Sequence, residues 1–189
     1  MIARAWHFAA ERHSTQKRKG SAGEPYVNHL AEVAELVAFA TDGADANLVA
    51  AAVLHDAIED TKTSHAELAT LFNKDIADLV AEVTDDKGLP KGRRKEPQVE
   101  KASSKSSRAK ILKLADKTSN LRSLAKSPPA DWSETRRKEY VAWAKQVAEG
   151  LRGSNDWIEA RFDEAAAIVS RVLNLKTNPA PKLRRQKKG

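Results

Sequence analysis

Four ionisable side chains crowd the end of an unbroken apolar run. Leu48-Val49-Ala50-Ala51-Ala52-Val53-Leu54 leads directly into His55-Asp56-Ala57-Ile58-Glu59-Asp60. A helix apolar on every face belongs in a core. Imidazoles or carboxylates carried in with it must be paired or bind a cation. The C-terminal end of a helix also carries partial negative charge, which favours a cation there. Two further donors can join His55 and Asp56: His29 closes the segment Tyr26-Val27-Asn28-His29, and Asp116 opens Asp116-Lys117-Thr118-Ser119-Asn120. Two imidazoles and two carboxylates from three helices form a hard-to-borderline ligand set. It suits Mn²⁺, Fe²⁺ or Mg²⁺ better than a structural zinc.

Glu59 follows His55 by four positions, and Asp60 follows Asp56 by four. On one continuous helix each carboxylate stands a turn beyond a ligand, on the same face. From there it can orient a water at the metal and accept its proton without itself ligating. Cysteine is absent, which excludes a thiolate zinc site and a disulfide framework.

The elements that must position these groups read as helices throughout. Ala, Leu and Val dominate the apolar residues, and no alternating stretch is long enough for a strand. The expectation is an all-α bundle of about eight or more helices. Helical periodicity covers residues 2–14, 26–41 and the buried run, and Ser64-His65-Ala66-Glu67 has the form of a capping box opening a short helix. A further helix is expected over 75–86. The span 87–108 is basic and the least regular, with Gly88, Pro90 and Gly92 marking a loop. Ser106 or Ser107 caps the helix carrying Asp116, which Pro128-Pro129 break. Ser133 caps the next, and the last runs over 155–175.

Residues 1–175 therefore read as one helical domain followed by a basic tail, 176–189. The net charge is +7, and six of the excess positive charges sit in that tail (Lys176, Lys182, Arg184, Arg185, Lys187, Lys188) with no acid among them. The tail holds Pro179 and Pro181 and lacks an apolar face, so it is expected to be disordered, with at most weak binding of nucleic acid or another polyanion. The N-terminus reads as an amphipathic helix rather than a signal peptide. No apolar run approaches a membrane span. A soluble, cytoplasmic protein is expected.

The order His…His-Asp…Asp resembles the HD superfamily of metal-dependent phosphohydrolases. The finer pattern is similar to the hydrolase domain of the RelA/SpoT homologues, above all the small stand-alone alarmone hydrolases. The stretches that carry the resemblance are Arg18-Lys19-Gly20, Tyr26-Val27-Asn28-His29, His55-Asp56-Ala57-Ile58-Glu59-Asp60, Val83-Thr84-Asp85-Asp86-Lys87 and Lys113-Leu114-Ala115-Asp116-Lys117-Thr118-Ser119-Asn120-Leu121-Arg122. Trp132-Ser133-Glu134 and Glu139-Tyr140 also fit, whereas Leu30 stands where the family usually has Pro.

The resemblance implies an HD-type helical bundle and one Mn²⁺ held by His29, His55, Asp56 and Asp116. It implies removal of the 3′-pyrophosphate from guanosine tetra- and pentaphosphate, with Glu59 and Asp60 as the catalytic carboxylates. Relatives that only synthesise alarmones have lost H-D-x-x-E-D, which is intact here. Arg18, Lys19 and Lys91 would bind phosphate oxygens, the guanidinium in a bidentate way. Asn120 would meet the sugar or the attacked phosphate, Arg136 and Tyr140 would face the nucleotide, and Tyr26 would stack on or flank the base. Other phosphohydrolase activities fit the same scaffold, namely removal of the 2′-phosphate of NADPH or hydrolysis of adenosine alarmones. Neutralisation of an alarmone-producing toxin is a physiological setting for the same chemistry. A reading of another class is a basic nucleic-acid-binding protein whose HD site is structural. His13 reads as a structural histidine or one that supports a site residue from behind, and Trp6, Trp132, Trp143 and Trp157 as core or rim aromatics rather than a stacking platform for bases.

Overall fold

The computed structural model describes residues 1–174, and the basic segment 176–189 lies outside them. In chain order the α-helices are α1 (Ile2–Arg12), α2 (Val27–Ala40), α3 (Ala46–Leu54), α4 (Ala57–Asp60), α5 (His65–Leu71), α6 (Lys74–Val83), α7 (Lys95–Glu100), α8 (Ser107–Lys126), α9 (Glu134–Leu151) and α10 (Asp156–Val172). A 3₁₀ turn, Lys91–Arg93, precedes α7. Among the described residues there is no strand; Lys17 with Pro25 and Gly20 with Pro129 make isolated bridges. None of these helices is long and apolar enough to cross a membrane.

The apolar run is the centre of the molecule. Every residue from Leu48 to Leu54 is buried, with α1, α2 and α6 packed around α3. The second internal rod is α8, against which α2, α9 and α10 pack. Leu112, Leu114, Ala115, Leu121 and Leu124 supply its apolar contacts. Capping side chains set where the helices begin. Asp45, Ser64, Asn73, Ser106, Ser133 and Asn155 each accept a backbone N–H from three positions on, a contact that contributes about 1 kcal/mol. Arg108 bridges Asp45 at 2.7 Å and Asp75 at 2.8 Å, pinning the starts of α3 and α6 to α8.

Three expectations need correction. The buried helix does not run through to Asp60: it stops at Leu54, and His55 and Asp56 form the joint before α4. At the joint His55 keeps helical dihedrals (φ −58°, ψ −31°) while Asp56 turns to φ −97° and ψ 0°. Backbone hydrogen bonds from Asp60 N to Asp56 O (2.7 Å) and Thr61 N to Ala57 O (3.1 Å) keep the next turn in place. The second correction lies within 87–108, where α7 forms in a stretch read as irregular. The helix expected over 75–86 also ends earlier, at Val83, with Thr84 extended.

Candidate active site

His29 stands in the first turn of α2, His55 and Asp56 at the joint after α3, and Asp116 midway along α8. The fold brings the four to one buried point. His29 Nε2 lies 3.7 Å from Asp56 Oδ2 and 3.4 Å from Asp116 Oδ1, and His55 Nε2 lies 3.0 Å from Asp56 Oδ2. Donor atoms of His29, His55 and Asp116 all fall within 4.8 Å of one another.

The remaining ring nitrogens fix which atoms face inward. His55 Nδ1 is 2.8 Å from the carbonyl of Ala52, which can only accept, so Nδ1 carries the proton. His29 Nδ1 is 2.8 Å from Ser119 Oγ, and that hydroxyl gives its own proton to Glu32 Oε2 at 2.6 Å. Ser119 therefore accepts from His29 Nδ1–H. Both imidazoles turn Nε2 towards the carboxylates. His55 Nε2 is buried and makes no hydrogen bond. Two free imidazole nitrogens, two carboxylates and supported outer ring nitrogens fit a divalent cation such as Mn²⁺.

Each carboxylate is itself held. Asp56 Oδ2 accepts from the Tyr26 hydroxyl at 2.5 Å. Asp116 Oδ1 accepts from Asn120 Nδ2 at 2.5 Å, and Oδ2 lies 3.1 Å from the ammonium of buried Lys117. Burial and the neighbouring Asp56 push the Tyr26 phenol far above its ordinary value, so it stays a donor. Burial opposes charge on His55, but Asp56 outweighs it and lifts the imidazole to about 9. Burial dominates at His29 and lowers it. Asp56 and Asp116 are held well below the usual carboxylate range in spite of burial, chiefly by His55 and by Lys117 respectively. The two ionised carboxylates are thus matched by the His55 imidazole and the Lys117 ammonium.

A cavity of about 360 Å³ opens beside this centre, lined on one side by Glu59, Asp60 and Tyr26 and on another by Lys17, Arg18 and Lys19. Glu59 accepts from Asp85 N–H at 3.3 Å; burial, then the charges of Asp85 and Asp56, raise its carboxyl. Asp60 accepts from Gln16 Nε2 at 2.9 Å, and Gln16 Oε1 is 2.6 Å from His13 Nδ1, so the histidine read as structural begins a chain that ends on Asp60. Arg18 reaches Asn120 Oδ1 at 3.3 Å, tying the cationic loop to the helix of Asp116.

The far wall is aromatic. Tyr140 lies with its ring 5.4 Å from Trp132 and 5.3 Å from Trp143, and all three line the cavity. The two tryptophans, read as core or rim residues, are thus cavity walls. Tyr26 also lines it, but its ring is stacked on His13 and set edge-on to His29, with the hydroxyl committed to Asp56. That placement makes it a partner of the Asp56 carboxylate. Arg136 is exposed, its guanidinium 4.5 Å from the centre of the Trp132 ring, and it is not among the lining residues. Lys91 begins the 3₁₀ turn, and its side chain lies outside what the structure describes.

Sequence reasoning passed over Glu32, Ser119 and Lys117. Glu32 is three positions beyond His29 and Ser119 three beyond Asp116, and that helical spacing was the available signal.

Residues 5–149 match the family described as HD domain. A Xenopus tropicalis protein named guanosine-3′,5′-bis(diphosphate) 3′-pyrophosphohydrolase MESH1 is 45% identical over 163 residues, covering 86% of this chain and 91% of that protein. The Homo sapiens protein of the same name is 47% identical over 152 residues, covering 80% and 85%. A solved structure described as a metazoan orthologue of SpoT that hydrolyses ppGpp superimposes with a TM-score of 0.85 at 40% identity, covering 93% of this chain and 96% of that one.

Proposed function

The chain belongs to the HD-domain family, and from that membership we propose that it is a Mn²⁺-dependent hydrolase of guanosine tetra- and pentaphosphate. It releases the 3′-pyrophosphate and leaves GDP or GTP. One observation carries the reading: four donors meet beneath a cavity whose walls supply both carboxylates and phosphate-binding cations. Relatives named for this reaction match over most of their length.

His29, His55, Asp56 and Asp116 would hold the ion. When bound, it supplies Lewis acidity at a phosphoryl oxygen and eases deprotonation of water at neutral pH. Glu59, with its raised carboxyl beside the centre, takes the proton of the attacking water. Asp60, held by Gln16, orients that water. Arg18 and Lys19 bind the phosphate oxygens, Asn120 bridges Arg18 and Asp116 at the reacting end, and the Trp132, Tyr140 and Trp143 wall packs against the nucleoside.

The test is a substrate panel on metal-stripped protein reloaded with Mn²⁺. Guanosine tetraphosphate should yield pyrophosphate and GDP only with metal present, and faster than the adenosine counterpart or NADPH is consumed. Orthophosphate from NADPH as the dominant product would overturn the assignment, as would metal-independent turnover.

A further inference from the structure

The two histidines of the centre are aimed by different means. His55 is oriented by a backbone carbonyl, Ala52 O, inside the rigid core. His29 is oriented by side chains alone. Ser119 Oγ has one proton, given to Glu32 Oε2 at 2.6 Å, and so receives the His29 Nδ1–H at 2.8 Å. Arg122 Nη1 donates to the other oxygen of Glu32 at 3.0 Å. A carboxylate paired with a guanidinium has no proton to return, so donation runs one way along the row, from His29 to Ser119 to Glu32. None of Glu32, Ser119 and Arg122 lines the cavity, and Glu32 contacts none of the four candidate ligands directly.

We propose that Glu32 is a positioning residue for the divalent-cation site: acting through Ser119, it fixes the tautomer and aim of His29 and thereby sets the affinity of the site. Arg122 holds the Glu32 carboxylate in register. The inference rests on the metal-centre reading above.

It acts on metal binding before any substrate is present, so calorimetric titration of metal-stripped protein with Mn²⁺ tests it. Glu32→Gln keeps the volume but offers Ser119 an N–H, which can reverse the direction of donation. Mn²⁺ affinity should fall by about 10- to 100-fold. Ser119→Ala should lose a similar factor. The double variant should be no weaker than Ser119→Ala alone, because both substitutions cut one row. The imidazole ¹⁵N shifts of His29 in the metal-free protein should report Nδ1–H in the parent and lose that signature in Glu32→Gln. A merely structural role would lower the melting temperature and leave the ¹⁵N signature intact. Unchanged affinity in Glu32→Gln, additive losses in the double variant, or an unchanged tautomer would each overturn the proposal. A parent protein that binds no Mn²⁺ would defeat the metal centre itself, which separates that failure from this one.

Discussion

The Tyr26 hydroxyl donates to Asp56 Oδ2 at 2.5 Å, the same oxygen that lies 3.0 Å from His55 Nε2. Tyr26, itself packed against the core, thus holds Asp56 through its one side-chain donor. Phenylalanine there keeps the ring between His13 and His29 but deletes the donor. Tyr26→Phe is expected to lower Mn²⁺ affinity by about tenfold while leaving the melting temperature of the metal-free protein within a few degrees, as calorimetric titration and thermal melting would show.

The ligand set and the carboxylates of the cavity wall should separate cleanly by substitution. His55→Ala or Asp56→Ala removes a donor, and metal content measured after Mn²⁺ loading should fall to background. Glu59→Gln should bind metal as the parent does but lose on the order of 10²–10⁴ in kcat. Loss of metal from Glu59→Gln would show that this side chain ligates.

Glu59 also sets a pH dependence. Its carboxyl is raised by burial and by the charge of Asp85, and a proton acceptor works only when ionised. Activity should therefore fade as pH drops through a value above that of an ordinary glutamate. Asp85→Asn removes a like charge and should move this acidic limb to lower pH. A kcat profile whose acidic limb does not move in that variant would rule out Glu59 as the titrating group.

Gly20 sits where no side chain fits, since a Cβ there would come within 2.3 Å of the Ser127 carbonyl oxygen. Backbone cannot yield as a flexible side chain can, so Gly20→Ala should displace the loop that carries Arg18 and Lys19. The expected result is a KM increase of about tenfold or more with a smaller change in kcat. Destabilisation should be about 1–3 kcal/mol, read from denaturant melts.

Trp132 lines the cavity with one face near Tyr140 and has the Arg136 guanidinium 4.5 Å from its ring centre. Trp132→Ala should weaken nucleotide binding by about 1–3 kcal/mol and leave Mn²⁺ affinity unaltered. Equilibrium binding of a non-hydrolysable nucleotide would measure it.

What the sequence made legible was the framework. The run 48–54 is apolar on all faces and is buried throughout; Ser64, Ser106 and Ser133 are the caps their positions suggested. The break at His55 carried no signal, for neither Gly nor Pro marks it. There the His55 and Asp56 side chains meet partners distant in sequence, a tertiary setting that local propensity does not encode. The six-residue α7 was hidden by the basic span around it and by Pro97, and it is held from outside, Trp143 Nε1 donating to Lys95 O. The tryptophans beside Tyr140 were missed for a related reason. Tyr140 and Trp143 have the i, i+3 spacing of a packed helix face, and the cavity exists only because the loop 16–20, distant in sequence, passes in front of them.

That loop has a bearing on biosynthesis. The walls of the pocket are drawn from Gln16 at one extreme and Trp143 at the other, and the loop is fastened by Ala22 N–H to Ser127 Oγ at 3.0 Å. A polypeptide leaving the ribosome has nowhere to seat a nucleotide until α9 has followed, and α8, which carries Asp116, lacks its packing partner until α10 has emerged as well.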